Sequence, residues 1–172
     1  MLMDYWIGKH QGLPYDAAGA WANSGTVIPA LLDAMLAEPW LQLAPPKSTG
    51  RDLFNAQWLE QQVQHHAQHA SPADIQATLL ELTARSVTDA IQRYAAGTTE
   101  ILVCGGGAFN SALLQRIAHL SGITVRSTDA LGLHPQHVEA LAFAWLAHAH
   151  VHDIKANAPA VNGARHSVML GA

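Results

Sequence analysis

The chain is short of cysteine, of charge and of long apolar runs, and each shortage removes a class of function. One cysteine in 172 residues, Cys104, excludes an intramolecular disulfide framework and any zinc site of the multi-cysteine type. A reducing interior suits it, and cytoplasm is the expected location. Charged residues make up 13 % of the sequence, with nine Lys and Arg against thirteen Asp and Glu, for a net charge of −4. Such a surface is poorly equipped to neutralise phosphates, which disfavours a nucleic-acid partner. No stretch approaches the roughly 20 uninterrupted apolar residues of a membrane helix, so no membrane partner is expected. The segment Met1–His10 has no basic leader followed by a long apolar run, and no signal peptide is read there. What is present in quantity is apolar residue, 49 % of the chain. At 18.4 kDa this suits one domain of ordinary size, or one lobe of a two-lobed enzyme.

The chain divides by its periodicity. Leu2 to Trp6 reads as helix with no N-cap residue ahead of it, broken at Gly12-Leu13-Pro14. Asp16 is placed to cap a short helix through Trp21 that ends near Ser24-Gly25. Thr26 is placed to cap another, in which Val27, Ala30, Leu31, Ala34 and Met35 repeat at spacings of three and four up to Glu38-Pro39. Ala44 to Asp52, with two prolines and Gly50, reads as an exposed loop. A helix rich in Gln and His follows from about Asn55 to Gln68. Ser71-Pro72-Ala73-Asp74 then opens a long helix to Ala95, with Ser as N-cap and Pro at the first helical position. After Gly97 the period changes. Glu100 to Cys104 suits a buried parallel strand, Asn110 or Ser111 caps a helix over Ala112–Leu120, Ile123 to Ser127 reads as a second strand, and Gln136 to His148 as a second crossover helix. Strand, helix, strand, helix at this pitch predicts βαβ units in an α/β fold. The tail, with Asn157-Ala158-Pro159 and Asn162-Gly163, reads as loop with room for a final short strand.

The strongest chemical signal is Leu102 to Asn110, where a strand runs into Gly105, Gly106 and Gly107 and then a capped helix. Glycines let the main chain approach a ligand closely, and free amides at a helix start favour an anionic group; a tight strand-to-helix turn needs glycine equally. Neither the Gly-x-Gly-x-x-Gly fingerprint nor the Gly-Lys-Ser/Thr phosphate loop is formed, which disfavours a dinucleotide dehydrogenase or a phosphate-loop NTPase. Glu139 is the single polar residue between Val138 and Ala147. A helix apolar nearly all round is read as buried, so its one carboxylate wants a partner, unless Glu139 only favours the helix dipole. Lys47 to Arg51 gathers two cations and two hydroxyls on a loop, as an anion contact or a solvated turn. Asp129 lies where open α/β sheets bind ligands, though capping explains it equally. Eleven histidines invite a metal, with His65 and His69 four apart and His148, His150 and His152 alternating. No acidic or cysteine ligand stands at a recognised spacing, and no metal site is assigned. Cys104 reads as a small buried hydrophobe.

Val103 to Asn110, Pro46 to Asn55, Val138 to Leu146 and Asn157 to Ala164 together resemble, in order and across almost the whole chain, the C-terminal half of the anhydro-N-acetylmuramic acid kinases. The resemblance implies a ribonuclease-H-like C-terminal lobe of the sugar kinase, Hsp70 and actin type, helix-rich with a short, mostly parallel sheet. Residues 1–96 would be its mainly helical part and 97–172 its βαβα nucleotide-binding part. It also implies ATP with Mg²⁺, and phosphorylation of 1,6-anhydro-N-acetylmuramic acid with ring opening to N-acetylmuramic acid 6-phosphate in cell-wall recycling. On this basis Gly105, Gly106 and Gly107 lie against the nucleotide, Asn110 neighbours it, and Glu139 contacts the sugar. Phe109 stands where the family often has a polar residue.

Ahead of the segment that Met1-Leu2-Met3-Asp4 resembles, the family carries an Asp-Thr-Gly-Pro stretch with the general base, and further upstream a phosphate-binding loop. Neither is in this sequence. Holding a γ-phosphoryl group in line with its acceptor depends on those groups, so the catalytic residues are expected in an N-terminal lobe and the chain alone is expected to be inactive. The face where that lobe would pack should favour self-association, a homo-oligomer included. A non-catalytic nucleotide-binding or interaction module derived from such a kinase is the alternative.

Overall fold

A computed structural model describes residues 1–170. Helix α1 spans Leu2–Gln11 and ends where Gly12 turns left-handed, at φ 68°. The helix expected after Asp16 is instead two 3-10 turns, Ala17–Gly19 and Ala22–Ser24. The Asp16 carboxylate explains the difference. It is buried and accepts the amides of Trp21 and Ala22, both at 2.9 Å, five and six residues on, too far along to be helix-capping bonds. Helix α2 spans Pro29–Leu36 and α3 Pro39–Gln42. Thr26 does not cap α2. Its own amide donates to Asp74 at 2.7 Å, and the Ile28 amide donates to the Thr78 hydroxyl at 3.0 Å, so the start of α2 is satisfied by a later helix. Helix α4 spans Ala56–His66, and its N-cap Asn55 accepts from the Trp58 amide. Helix α5 runs Pro72–Tyr94, 23 residues, with Ser71 accepting from the Asp74 amide as the sequence predicts.

Two strands follow, β1 at Glu100–Val103 and β2 at Thr124–Ser127, joined through α6, Ser111–Ser121. They pair in parallel, with Ile101 opposite Val125 and Val103 opposite Ser127. Helix α7 spans Val138–Val151. The tail, read as loop with room for a final short strand, forms a short helix, α8, Pro159–Asn162. The chain is thus α/β and rich in helix, and no described helix is long and apolar enough to cross a membrane.

Helix α5 separates two apolar clusters. Ile75, Leu79 and Leu82 meet Trp6, Leu31, Leu32, Met35 and Leu59, which closes α1, α2 and α4 around one face. Leu80 and Ala84 meet Ala22, Ala112, Leu113 and Ile117, with Ile101 and Val125 of the sheet packed on that cluster. Each fully buried Leu or Ile of this kind stabilises the fold by about 1.5–3 kcal/mol relative to exposure.

The sheet's other face is open. Leu102 is exposed, as is Cys104, so β1 is a half-covered strand and Cys104 is not the buried hydrophobe its neighbours suggest. The reading of α7 is corrected too. Leu141, Phe143 and Trp145 are 55 %, 64 % and 50 % exposed, and Ala149 is the buried residue of the helix. An all-round apolar pattern signals burial by something, and the described residues leave Leu141, Phe143 and Trp145 of this helix uncovered.

Candidate functional site at the glycine bend

The two parallel strands end side by side, and the turns that leave them share one rim, which is where open α/β sheets place ligands. After β1, Gly105 takes φ 69° and ψ −165°, a conformation essentially confined to glycine. A 3-10 turn, Gly106–Phe109, follows, with the Asn110 amide donating to the Gly107 carbonyl at 3.1 Å. A Cβ added at Gly105 or Gly106 would meet no atom within 4 Å, and one at Gly107 would reach only Leu113 at 3.9 Å. The bend is therefore open. Backbone geometry demands glycine at Gly105, whereas no packing within the described chain demands it at Gly106.

Asn110 is held firmly. Its side-chain oxygen accepts the Leu113 amide at 3.0 Å as the N-cap of α6. Gly19, at φ 72°, presses against it: a Cβ there would lie 2.5 Å from that oxygen and 2.6 Å from the Ala112 methyl. The Ser111 hydroxyl donates to the Ala18 carbonyl at 3.3 Å, so the 3-10 turns after Asp16 buttress the start of α6.

Glu139 is connected to the bend through the turn that leads into α7. The Gly105 amide donates to the Pro135 carbonyl at 2.9 Å, tying the bend to the turn Pro135–His137 that leads into α7. The ring of Phe109 lies 5.9 Å from His134, and His134 lies 4.8 Å from His137. Glu139 follows in the first turn of α7, exposed, four residues beyond the carbonyl bound to Gly105. Asp129 sits exposed in the turn Thr128–Leu131 after β2, with the Ser127 hydroxyl at 3.4 Å.

The other candidates go elsewhere. Lys47 donates to the carbonyls of Trp40 and Leu41 at 3.3 and 3.0 Å and lies 4.5 Å over the Trp40 ring, which closes the end of α3. Asp52 accepts the Gly50 amide at 2.8 Å, and that bond holds its carboxyl below the usual range. These contacts make the loop a capped turn. His65 bonds the Gln61 carbonyl, His150 bonds the Leu170 carbonyl, and His148 stacks on His152 at 4.2 Å.

Sequence reasoning missed Glu81. Its buried carboxylate accepts two bonds from Arg116, at 2.5 and 2.8 Å, and one from Arg85 at 2.7 Å. The Arg116 guanidinium, aided by Arg85, holds this carboxyl below its ordinary pKa and raises that of Arg116 in turn. This clamp locks α6, the helix that starts from the bend, to α5. The spacing of Glu81 and Arg85 is a visible helical pair, but nothing local points to Arg116. A cavity of about 430 Å³ runs beside the clamp, lined by Asn23, Asp33, Glu81, Arg85 and Arg116.

A family model described as anhydro-N-acetylmuramic acid kinase matches residues 1–172. Proteins of that name from Bordetella petrii, Pseudomonas putida and Thiobacillus denitrificans are 51 %, 48 % and 49 % identical over the whole of this chain. The chain spans only 46 %, 47 % and 46 % of those relatives, about half their length.

Proposed function

Because the chain belongs to the anhydro-N-acetylmuramic acid kinase family, we propose that it is the C-terminal portion of an ATP-dependent sugar kinase and supplies one wall of its nucleotide cleft. In this reading the chain is one ribonuclease-H-like lobe, with 1–96 as its helical part and 97–172 as its nucleotide-binding part. The substrate is 1,6-anhydro-N-acetylmuramic acid, and the product is the ring-opened 6-phosphate, formed in the cytoplasm. ATP would supply the phosphoryl group, and Mg²⁺ would offset its charge.

The observation that carries this reading is Gly106, a glycine that the fold does not need, on an open bend at the edge where open α/β sheets place ligands. Close approach of a ligand to the main chain accounts for it. Gly105, Gly106 and Gly107 would form the surface on which the nucleotide rests. Asn110 would fix the start of α6 beside it, and Glu139 would accept a hydroxyl of the sugar. The groups that align the transferred phosphoryl group with its acceptor would come from the rest of the kinase, the partner that also covers α7 and the open sheet face. Without it these faces should drive self-association.

The test is reconstitution. Residues 1–172 should turn over ATP and the anhydro-sugar little or not at all, and turnover should appear when the part of the Bordetella petrii relative that this chain does not span is added. Substantial turnover by residues 1–172 alone would overturn the division of labour. Absence of ATP binding both with and without the added part would overturn the reading itself.

A further inference from the structure

Phe109 is the one feature of the rim that neither the fold nor the family resemblance explains. It closes the turn Gly106–Phe109, between the buried Ala108 and the helix cap Asn110, and its side chain is 49 % exposed. The turn buries Ala108 and leaves residue 109 half in solvent, a place where a polar side chain would cost nothing. Keeping half a phenyl ring in water forfeits part of the free energy that its burial would provide. The ring also has company. It tilts at 44° to His134, and His134 tilts at 45° to His137, so three aromatic rings line the rim from the glycine bend to the start of α7. The Gly105–Pro135 hydrogen bond fixes the two segments that carry them relative to each other.

We propose that Phe109, flanked by His134, is the platform on which the purine base of the nucleotide stacks while its phosphates follow the open main chain at Gly105–Gly107. The inference rests on the nucleotide reading above and adds to it the residue that would hold the base. An aromatic face next to a side-chain-free backbone matches the two halves of a nucleotide: a flat π-system that stacks, and an anionic chain that needs close access to amides. Stacking of this kind is tolerant of base identity, so adenine and guanine nucleotides should bind alike and pyrimidine nucleotides less well.

Three ligands separate the contributions: ATP, adenosine and inorganic tripolyphosphate, each titrated against residues 1–172, alone and with the complementary part of the Bordetella petrii relative. Phe109→Ala should weaken ATP and adenosine by about tenfold or more and leave tripolyphosphate unchanged, whereas Phe109→Trp should retain ATP binding. In Phe109→Trp, ATP and adenosine should also quench added indole fluorescence that tripolyphosphate does not touch. Far-UV circular dichroism checks that each variant keeps the helical content of the parent chain. Equal effects of Phe109→Ala on ATP and tripolyphosphate, or none on either, would overturn the platform while leaving the nucleotide reading intact. Failure of the parent chain to bind any of the three in either setting would overturn both.

Discussion

The two halves of the molecule treat the same kind of sequence pattern in opposite ways. In residues 2–94 the apolar stripes of α1, α2, α4 and α5 find one another, and Leu31, Met35, Leu59 and Leu79 are at most 1 % exposed. In residues 100–151 large apolar side chains end in solvent: α7, apolar nearly all round, shows Phe143 and Trp145, and β1 shows Leu102. Periodicity reports that a face is to be covered, and the packing partner decides whether the cover is within the chain. The helical half holds its own core; the strand-and-helix half leaves apolar surface that the described residues do not cover.

That contrast can be broken by substitution. The largest effect should come from the closed half. Leu79→Ala, in the middle of the helical core, should lower stability by about 3 kcal/mol, read from denaturant midpoints. A loss below about 1 kcal/mol would mean that the helical half is not independently packed.

Next comes the clamp that joins the halves. Glu81→Ala should cost about 2–3 kcal/mol at neutral pH, because it leaves Arg116 without its carboxylate. The pH dependence carries its own sign. The Glu81 carboxyl is held below its unfolded value, so its stabilisation is complete above the unfolded pKa of about 4.3 and is lost as pH falls through the lower native value. The Tm difference between the parent chain and Glu81→Ala should therefore narrow in acid. A constant difference from pH 7 to below pH 3 would contradict the clamp.

Smaller still are the effects expected on the open side. Gly106→Val should leave stability within about 0.5 kcal/mol, since its side chain meets open space, while weakening ATP binding by calorimetry. A large loss of stability would place Gly106 in the fold's own packing. Replacing Phe143 and Trp145 together with Ser should also change stability by less than about 0.5 kcal/mol and should reduce self-association in sedimentation. Unchanged sedimentation would sever the link between the exposed stripe and association.

How much of this was legible in the sequence follows from which interactions are local. The start of α5 at Ser71-Pro72, the Asn110 cap and the parallel order of β1 and β2 were all readable, because each rests on signals written within a few residues. Contacts between distant segments were not. Asp16 reads as a helix cap, but its partners include the Gln76 side chain, sixty residues away, at 3.2 Å. Thr26 reads as a cap until Asp74 and Thr78 of α5 are seen to hold that segment. Of the site, the glycine bend was visible, whereas its tie to α7 through the Pro135 carbonyl depends on two loops meeting 30 residues apart. Exposure of α7 and Cys104 could not be read, since residue type states what a surface prefers and is silent on where its partner resides.

Amide hydrogen exchange, with and without ATP, on residues 1–172 joined by the complementary part of the Bordetella petrii relative tests the central claim most directly. Protection should rise at residues 105–110 and 134–139, while residues 72–94 exchange as before. Unchanged exchange at 105–110, or ATP-dependent protection confined to the helical half, would contradict it.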